Sequence, residues 1–372
     1  MRAQRASLLV AAVVICQSWL AASSAAAQTG GLPDLGHQWS VVTGINAPIV
    51  TPPSANFPFG RAIQSVNYDY RIMTREVTNT EWLQFVRAFA PHLSTVGVGA
   101  TDPQFRGTGI EWLGSVGGVP QYQLSSEYAN RPTDPGWRFV ARFCNWLHNG
   151  KPLPSQSPGG VVPLSVFESG AYDTSTFLRV IDPVSKTPIY LDQPTRSENA
   201  QFWIPDSHEW VKAMFWDPNK NGPGVAGYWQ YPITSDTAPI SGDPAFGGQT
   251  NAGPFPQGQT RPLDVGSYPD VMSPWGLLDG SGGASEWLED WKNPATPQLR
   301  LRGGTASISL FNPATVDRIG GFQQGSPVFA GGGIRLASLV IPAPGVCVTL
   351  GALCLGWGGR RRSLRQPSAP PT

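Results

Sequence analysis

Charge is scarce in this chain. Of 372 residues only 14% are Asp, Glu, Lys or Arg, and the balance is +1. A nucleic-acid surface needs a dense basic stripe, so that partner class is not expected. Cysteine is scarcer still, with 4 residues in the whole chain. Cys16, Cys347 and Cys354 fall in apolar runs at the two ends, which leaves Cys144 alone in the body. A lone cysteine excludes an internal disulfide, and Cys144 reads as a small buried apolar residue. Histidine also numbers 4: His37, His92, His148 and His208. A non-haem iron centre needs histidines and carboxylates converging on one point. The stretch "SHEW" around His208 lacks H-E-x-x-H spacing, and His208 reads as an exposed residue in the first turn of a helix. "DGSGG" (279–283) is not followed by Gly-Lys-Ser/Thr, so it reads as a turn and not as a phosphate loop.

What the chain has in quantity is Gly (43), Pro (37) and Trp (14). That mixture predicts a loop-rich globular fold with tryptophans in its core, since disordered chains are poor in aromatics. The first 27 residues carry Arg2 and Arg5, an apolar run and Ala25-Ala26-Ala27 before Gln28. This is the pattern of a secretory signal peptide with its cleavage site. Near the other end, Ile341 to Gly359 carries no charge and Arg360, Arg361 and Arg362 follow. About twenty uncharged residues can span a bilayer, and the arginines would stay on the cytoplasmic side. Pro342-Ala343-Pro344, the apolar run and the arginine cluster together resemble a PEP-CTERM sorting signal, with Ala343 where that family has Glu. The resemblance implies an exosortase-type sorting protease as partner and the cell envelope as destination. A plain membrane anchor is the other reading. The expected organisation is signal peptide 1–27, a single domain over 38–338, a sorting or transmembrane segment over 341–362 and a disordered tail over 363–372.

Three helices are legible in the body. In "TNTEWLQFVRAF", Thr78 and Glu81 have capping-box spacing, and Trp82, Phe85, Val86 and Phe89 make one apolar face. In "TDPGWRFVARFCNWLHNG", Asp134 is the expected N-cap, Pro135 the first helical residue and Asn149-Gly150 the stop. In "IPDSHEWVKAMFWDP", Asp206 and Glu209 again have capping-box spacing, and Pro218 is the expected stop. "DPNKNG" (217–222) fits half of a calcium loop, but Tyr228 holds the twelfth position, so it reads as a turn. "YWQYPI", "LDVGSY" and "LRLRGG" read as short strands, and 151–200 as an inserted loop region. Few helices with many short strands predict an α+β fold.

The order of these pieces carries a second resemblance. "REVTNTEWLQFV" (75–86), "ARFCNWL" (141–147), "FWIPDSHEWVKA" (202–213), "YWQYP" (228–232), "DVGSYPDVMSPWGLLDGSGGASEWLEDW" (264–291), "RGGT" (302–305) and "GIRLA" (333–337) stand in one order. The set is similar to the motif blocks of the sulfatase-modifying factor, or formylglycine-generating enzyme, family, and covers about 38–338. The resemblance implies a C-type-lectin-like α+β fold with little regular secondary structure. The family's oxidase binds copper through two cysteines beyond "RGGS". Here that stretch has none, and Ile308 and Pro313 stand about where thiols belong. Copper and formylglycine generation are therefore not expected, because no serine replaces a thiolate for Cu(I). Calcium is the cofactor the resemblance implies, with Asn251, Gly283, Ser285 and Glu286 as its positions. Gly283 replaces the family's asparagine, and "NAGPFPQGQTRPL" supplies no carboxylate. Glu286 has two readings, a buried carboxylate held by backbone amides or a calcium ligand. Trp229, Tyr231, Trp275 and Trp287 are the candidate walls of a groove for a glycan or peptide. The functional expectation is a non-catalytic binding or scaffold domain at the cell surface. The alternatives are a formylglycine-generating-type or non-haem metal oxidase acting on envelope proteins, and a surface structural protein without a small ligand.

Overall fold

In the computed structural model, the described residues are 34–44, 63–307 and 312–340, all within one compact unit over 32–340. The expected signal peptide, sorting segment and tail, and Ile308, lie outside them. Among the described residues no helix is long and apolar enough to cross a membrane.

The architecture is mixed α+β, with short antiparallel strands gathered in small sheets. Strands β1 (Trp39–Val42), β2 (Tyr70–Met73), β7 (Phe202–Trp203) and β13 (Ala337–Leu339) form a four-stranded sheet in the order β1-β2-β13-β7. Ile72 faces Ala337, which in turn faces Trp203, so the sheet ties the start of the unit to its end. A second sheet has the order β10-β11-β12, from Glu286–Trp291, Arg300–Gly303 and Phe322–Gly325. Three two-stranded pieces complete the set: β3 (Ile110–Val116) with β4 (Val119–Leu124), β5 (Arg179–Ile181) with β6 (Pro188–Tyr190), and β8 (Trp216–Asp217) with β9 (Gly227–Tyr228). The region 151–200 thus holds a hairpin and a short helix, not loop alone.

Helices α1 (Asn79–Phe89), α3 (Trp137–His148) and α5 (Ser207–Phe215) are the long ones, and α2 (Pro103–Arg106), α4 (Ser165–Glu168) and α6 (Pro313–Val316) are single turns. Both capping boxes form. The Thr78 hydroxyl accepts from Glu81 N while Glu81 accepts from Thr78 N, and Asp206 and Glu209 do the same for α5. Thr78→Ala is expected to cost about 1 kcal/mol in urea unfolding, and Thr78→Ser to cost little; equal losses from both would point to packing of the methyl instead.

Two boundaries need correction. Asp134 does not cap α3. The cap is Gly136, without a side-chain bond, because the Asp134 carboxylate is engaged by the backbone and hydroxyl of Thr108 at 2.6 and 2.9 Å. Helix α5 ends at Phe215, before Pro218, because Trp216 turns extended and pairs with Tyr228 in β8–β9. "LRLRGG" holds β11. "YWQYPI" is strand only at Tyr228, and "LDVGSY" is irregular, with Gly266 at φ +71°. "DPNKNG" continues from β8 into a turn, where Asp217 accepts from Asn219 N at 2.7 Å.

The core is aromatic. Trp82, Phe85 and Phe89 of α1 pack edge-on against Phe143, Trp146 and Phe139 of α3. Cys144 is fully buried in this helix, and burial pushes its thiol well above the ordinary range. It is inert, as read.

Candidate functional site

The bend and strand over 276–291 sit at the centre of the unit. Strand β10 has no solvent face: Glu286, Trp287, Leu288, Glu289 and Trp291 are all buried. Its three carboxylates and the Trp287 indole are all answered. Glu286 Oε1 accepts from Arg335 Nε at 2.8 Å, and its Oε2 accepts from the Trp210 indole at 2.6 Å. Arg335 spends its other nitrogens on the carbonyls of Met73 and Leu278. Glu289 accepts from the Tyr172 hydroxyl and from Arg196 N. Asp290 accepts from Ser207 N at the start of α5. The Trp287 indole donates to Pro135 O at 2.8 Å. Its ring is clamped so closely that a Cβ at Gly332 would overlap it.

The carboxylate that takes the backbone amide of the bend itself is Glu76, not Glu286. Glu76 accepts from Ala284 N at 2.6 Å, and its other oxygen is buried without a partner. Burial, with Asp279 and Glu286 close by, pushes Glu76 well above the carboxylate range despite Arg335. Burial likewise raises Glu286, opposed by Arg335 and Trp210. Gly283, at φ +65°, lies directly on the Glu76 carboxylate, where any Cβ would clash. This explains a glycine at that position.

Over the bend lies a cavity of about 280 Å³, lined among others by Asn79, Tyr128, Arg131, Gly283, Ser285 and Ser307. Its walls mix polar and ring surfaces. The Arg131 guanidinium stacks 4.2 Å over the Tyr128 ring. Asn79 donates to the carbonyls of Tyr128 and Arg131, and its Oδ1 is buried with no partner.

The structure brings three of the four proposed metal positions together here. Gly283 and Ser285 line the cavity, and Asn251 Oδ1 lies just beneath, accepting from Gly283 N at 3.0 Å. Asn251 Nδ2 donates to Pro262 O. Glu286 points away, into its contacts with Arg335 and Trp210. Among the described residues, no three His, Cys, Asp or Glu side chains are grouped so as to hold a metal ion.

The four aromatic candidates are dispersed. Trp287 is a core residue and not a groove wall. Tyr231 is buried, with its hydroxyl on Ala314 O at 2.9 Å. Trp229 is half-buried, donates to Asp217 Oδ2 and carries the Lys220 ammonium 4.5 Å from its ring. Trp275 is half-buried, and its carbonyl accepts from the Ser40 hydroxyl. None of the four lines the cavity at Ser285. Its walls come instead from Asn79, Tyr128 and Arg131, which sequence reasoning passed over. The one available signal was the position of Asn79 inside the "TNTEW" block, since Tyr128 and Arg131 belong to no motif. Of the oxidase positions, Pro313 opens the single-turn helix α6. His208 is half-buried, and its Nδ1 accepts from Gln64 N at 3.1 Å.

No family model matches the chain, and no curated protein matches it. Among solved structures, the chain is similar to Treponema denticola variable protein 1 at 17% identity and a TM-score of 0.46, with 81% of this chain and 94% of that one covered. It is similar to CarF at 16% identity and a TM-score of 0.46, with 82% and 98% covered. PvdO from Pseudomonas aeruginosa matches at 14% identity and a TM-score of 0.35, with 81% and 93% covered. Likenesses this distant carry no argument about function.

Proposed function

We propose that this chain is an exported, envelope-sorted protein with a sulfatase-modifying-factor-like, C-type-lectin-like domain, acting as a non-catalytic binding or scaffold protein. The family reading is supported by where its motif blocks meet. Glu76, Trp210, Glu286, Gly303 and Arg335 belong to five different blocks, and all five converge on one buried cluster. Arg335 and Trp210 hold Glu286, Glu76 holds Ala284 N beside it, and Gly303 lies flat on the Trp210 ring. Motif residues so far apart in sequence serve here as the frame of the fold.

The binding reading rests on the cavity at Ser285. Its wall carries an unanswered buried acceptor, Asn79 Oδ1, beside the Tyr128–Arg131 stack. The half-buried Arg131, Asp134 and Ser307 of the same wall hold polar groups that can pair with the hydroxyl or amide groups of a ligand. A glycan or a peptide supplies such groups together with a face for the ring. No thiol serves this cavity, since Cys144 is sealed inside α3. The terminal signals imply passage through the membrane before an exosortase-type protease removes the tail. Calcium belongs to this reading only as an ion near Asn251 and Gly283.

Glycan and peptide arrays probed with the purified exported protein test the proposal. Binding is expected, and Ser307→Trp, which fills the cavity, is expected to abolish it while the melting temperature holds. No binding on either array, binding indifferent to Ser307→Trp, or stoichiometric copper or iron by elemental analysis would each overturn it.

A further inference from the structure

A second cavity, of about 390 Å³, lies between α3, the loop at 95–98 and the segment 174–179. It shares no lining residue with the cavity at Ser285. Three arginines reach it: Arg138, Arg142 and Arg179. Arg138 is already committed, forked onto Asp192 at 3.1 and 2.5 Å. Arg142 is not. It is 7% exposed, and its guanidinium donates only to two carbonyls, Arg138 O at 3.2 Å and Thr174 O at 3.4 Å. Its Nε is buried with no partner. The rings of Phe89, Phe139 and Phe177 surround it at 5.5 to 5.9 Å. Burial, with Arg138 close by, pushes its pKa down to about 10, so it stays a cation at neutral pH. Arg179 is exposed and, among the described residues, forms no ion pair. The one carboxylate on the wall, Glu168, attracts Arg142 but forms no ion pair with it.

A buried cation without an ion-pair partner is expensive; Asp192 and Glu168 attract Arg142 from a distance, and an anion placed against it would recover more of that cost. The neighbouring space says what else the anion carries. A further cavity of about 490 Å³ shares Gln104, Arg179 and Val328 with the first. Its other walls include Pro188, Tyr190, Leu299 and Phe329, the last 68% exposed. The charged end and the apolar end therefore meet at Arg179.

We propose that this pair of cavities binds a small organic carboxylate with an apolar body, its carboxylate on Arg142 and Arg179 and its body against Tyr190, Leu299 and Phe329. Guanidinium groups suit a carboxylate because they present paired donors in one plane. The body adds the affinity that an exposed arginine alone would lack.

The test uses three probes on the full purified protein: 2-naphthoate, 2-naphthylmethanol and acetate, titrated by calorimetry. Naphthoate is expected to bind saturably. The alcohol, which lacks the charge, and acetate, which lacks the body, are expected to bind roughly tenfold or more weakly. Arg142→Met replaces a buried charge by an apolar chain of similar length and is expected to fold. It should weaken naphthoate about 10- to 100-fold. If that variant fails to fold, Arg179→Glu, at an exposed position, serves in its place and should weaken binding at least as clearly as it repels the carboxylate. The proposal is overturned if naphthoate does not saturate, if the alcohol or acetate binds equally well, or if the folded variants bind naphthoate like the parent. Arrays that show no binding at Ser285 would leave this result unaffected, so the two sites fail separately.

Discussion

Replacing Arg335 by Met is expected to lower the unfolding free energy by about 3–5 kcal/mol, the usual cost of removing one partner of a buried ion pair. The cost has three sources. Glu286 keeps the Trp210 indole but loses its cation. The carbonyls of Met73 and Leu278 lose the donors that Arg335 Nη1 and Nη2 supply. Without the Arg335 charge, Glu76, Asp279 and Glu286 are each pushed further towards the protonated form. For a domain stabilised by roughly 5–15 kcal/mol in total, the variant should unfold at much lower urea or accumulate insoluble. Adding Glu286→Leu to Arg335→Met removes the stranded charge and is expected to return part of the loss. A single variant that loses less than about 1 kcal/mol would mean that the pair is solvated in solution and does not frame the fold.

This ion pair also shows where sequence reasoning stopped. The Thr78–Glu81 and Asp206–Glu209 caps were legible because both partners lie three residues apart, within one turn. The Asp134 cap failed because its carboxylate finds Thr108, 26 residues earlier and reachable only through the fold. "EWLEDW" gave no strand signal, since a strand buried on both faces shows no alternation. Glu286 reads as a carboxylate on backbone amides or a calcium ligand, yet the partners of Glu286 and Glu289, which are Arg335, Tyr172 and Arg196, arrive from 49, 117 and 93 residues away. Asn251, Gly283 and Ser285 are grouped by the family resemblance alone, since Asn251 lies 32 residues before Gly283. Glu286, one residue on, was not separable from them in sequence, although the strand turns its side chain the other way. Arg142 was invisible for a similar reason. On a helical wheel it falls off the apolar stripe and reads as solvent-facing, whereas loops from 95–98 and 174–177 cover that face.

A stability maximum on the acid side of neutrality is the other large expected effect. Asp317 is fully enclosed, accepts from the Ser281 hydroxyl at 2.6 Å and from the Thr305 hydroxyl, and has no cation in ion-pair range. Burial pushes it to about 7 from 3.8, against the pull of those hydroxyls. Burial, opposed by Arg196, raises Glu289 to about 7 from 4.5. A carboxyl whose folded pKa is raised holds its proton in the folded state after the unfolded chain has released it. Its contribution is full below the unfolded pKa and is lost as pH rises through about 7. Between pH 5 and 7 each such group takes away about 1.4 kcal/mol per pH unit, so two of them give a steep decline. Glu81 sets the other flank. Burial works to raise it, but His37 and the amide and hydroxyl of Thr78 hold it down at about 2, so its contribution is present above 4.5 and is lost as pH falls towards 2. Urea unfolding followed from pH 3 to 8 should therefore peak near pH 4, where the gain from Glu81 with rising pH balances the loss from Asp317 and Glu289. Asp317→Asn, a neutral isostere whose neighbouring hydroxyls can reorient to suit it, should leave the value at pH 3.5 nearly unchanged, because Asp317 is mostly protonated there in both states. It should raise stability at pH 7.5 and reduce the slope between pH 5 and 7 by about 1.4 kcal/mol per unit. A curve that is flat or rising from pH 5 to 7.5 would mean that water or a counter-ion reaches Asp317, and that its burial is not the penalty argued from the geometry.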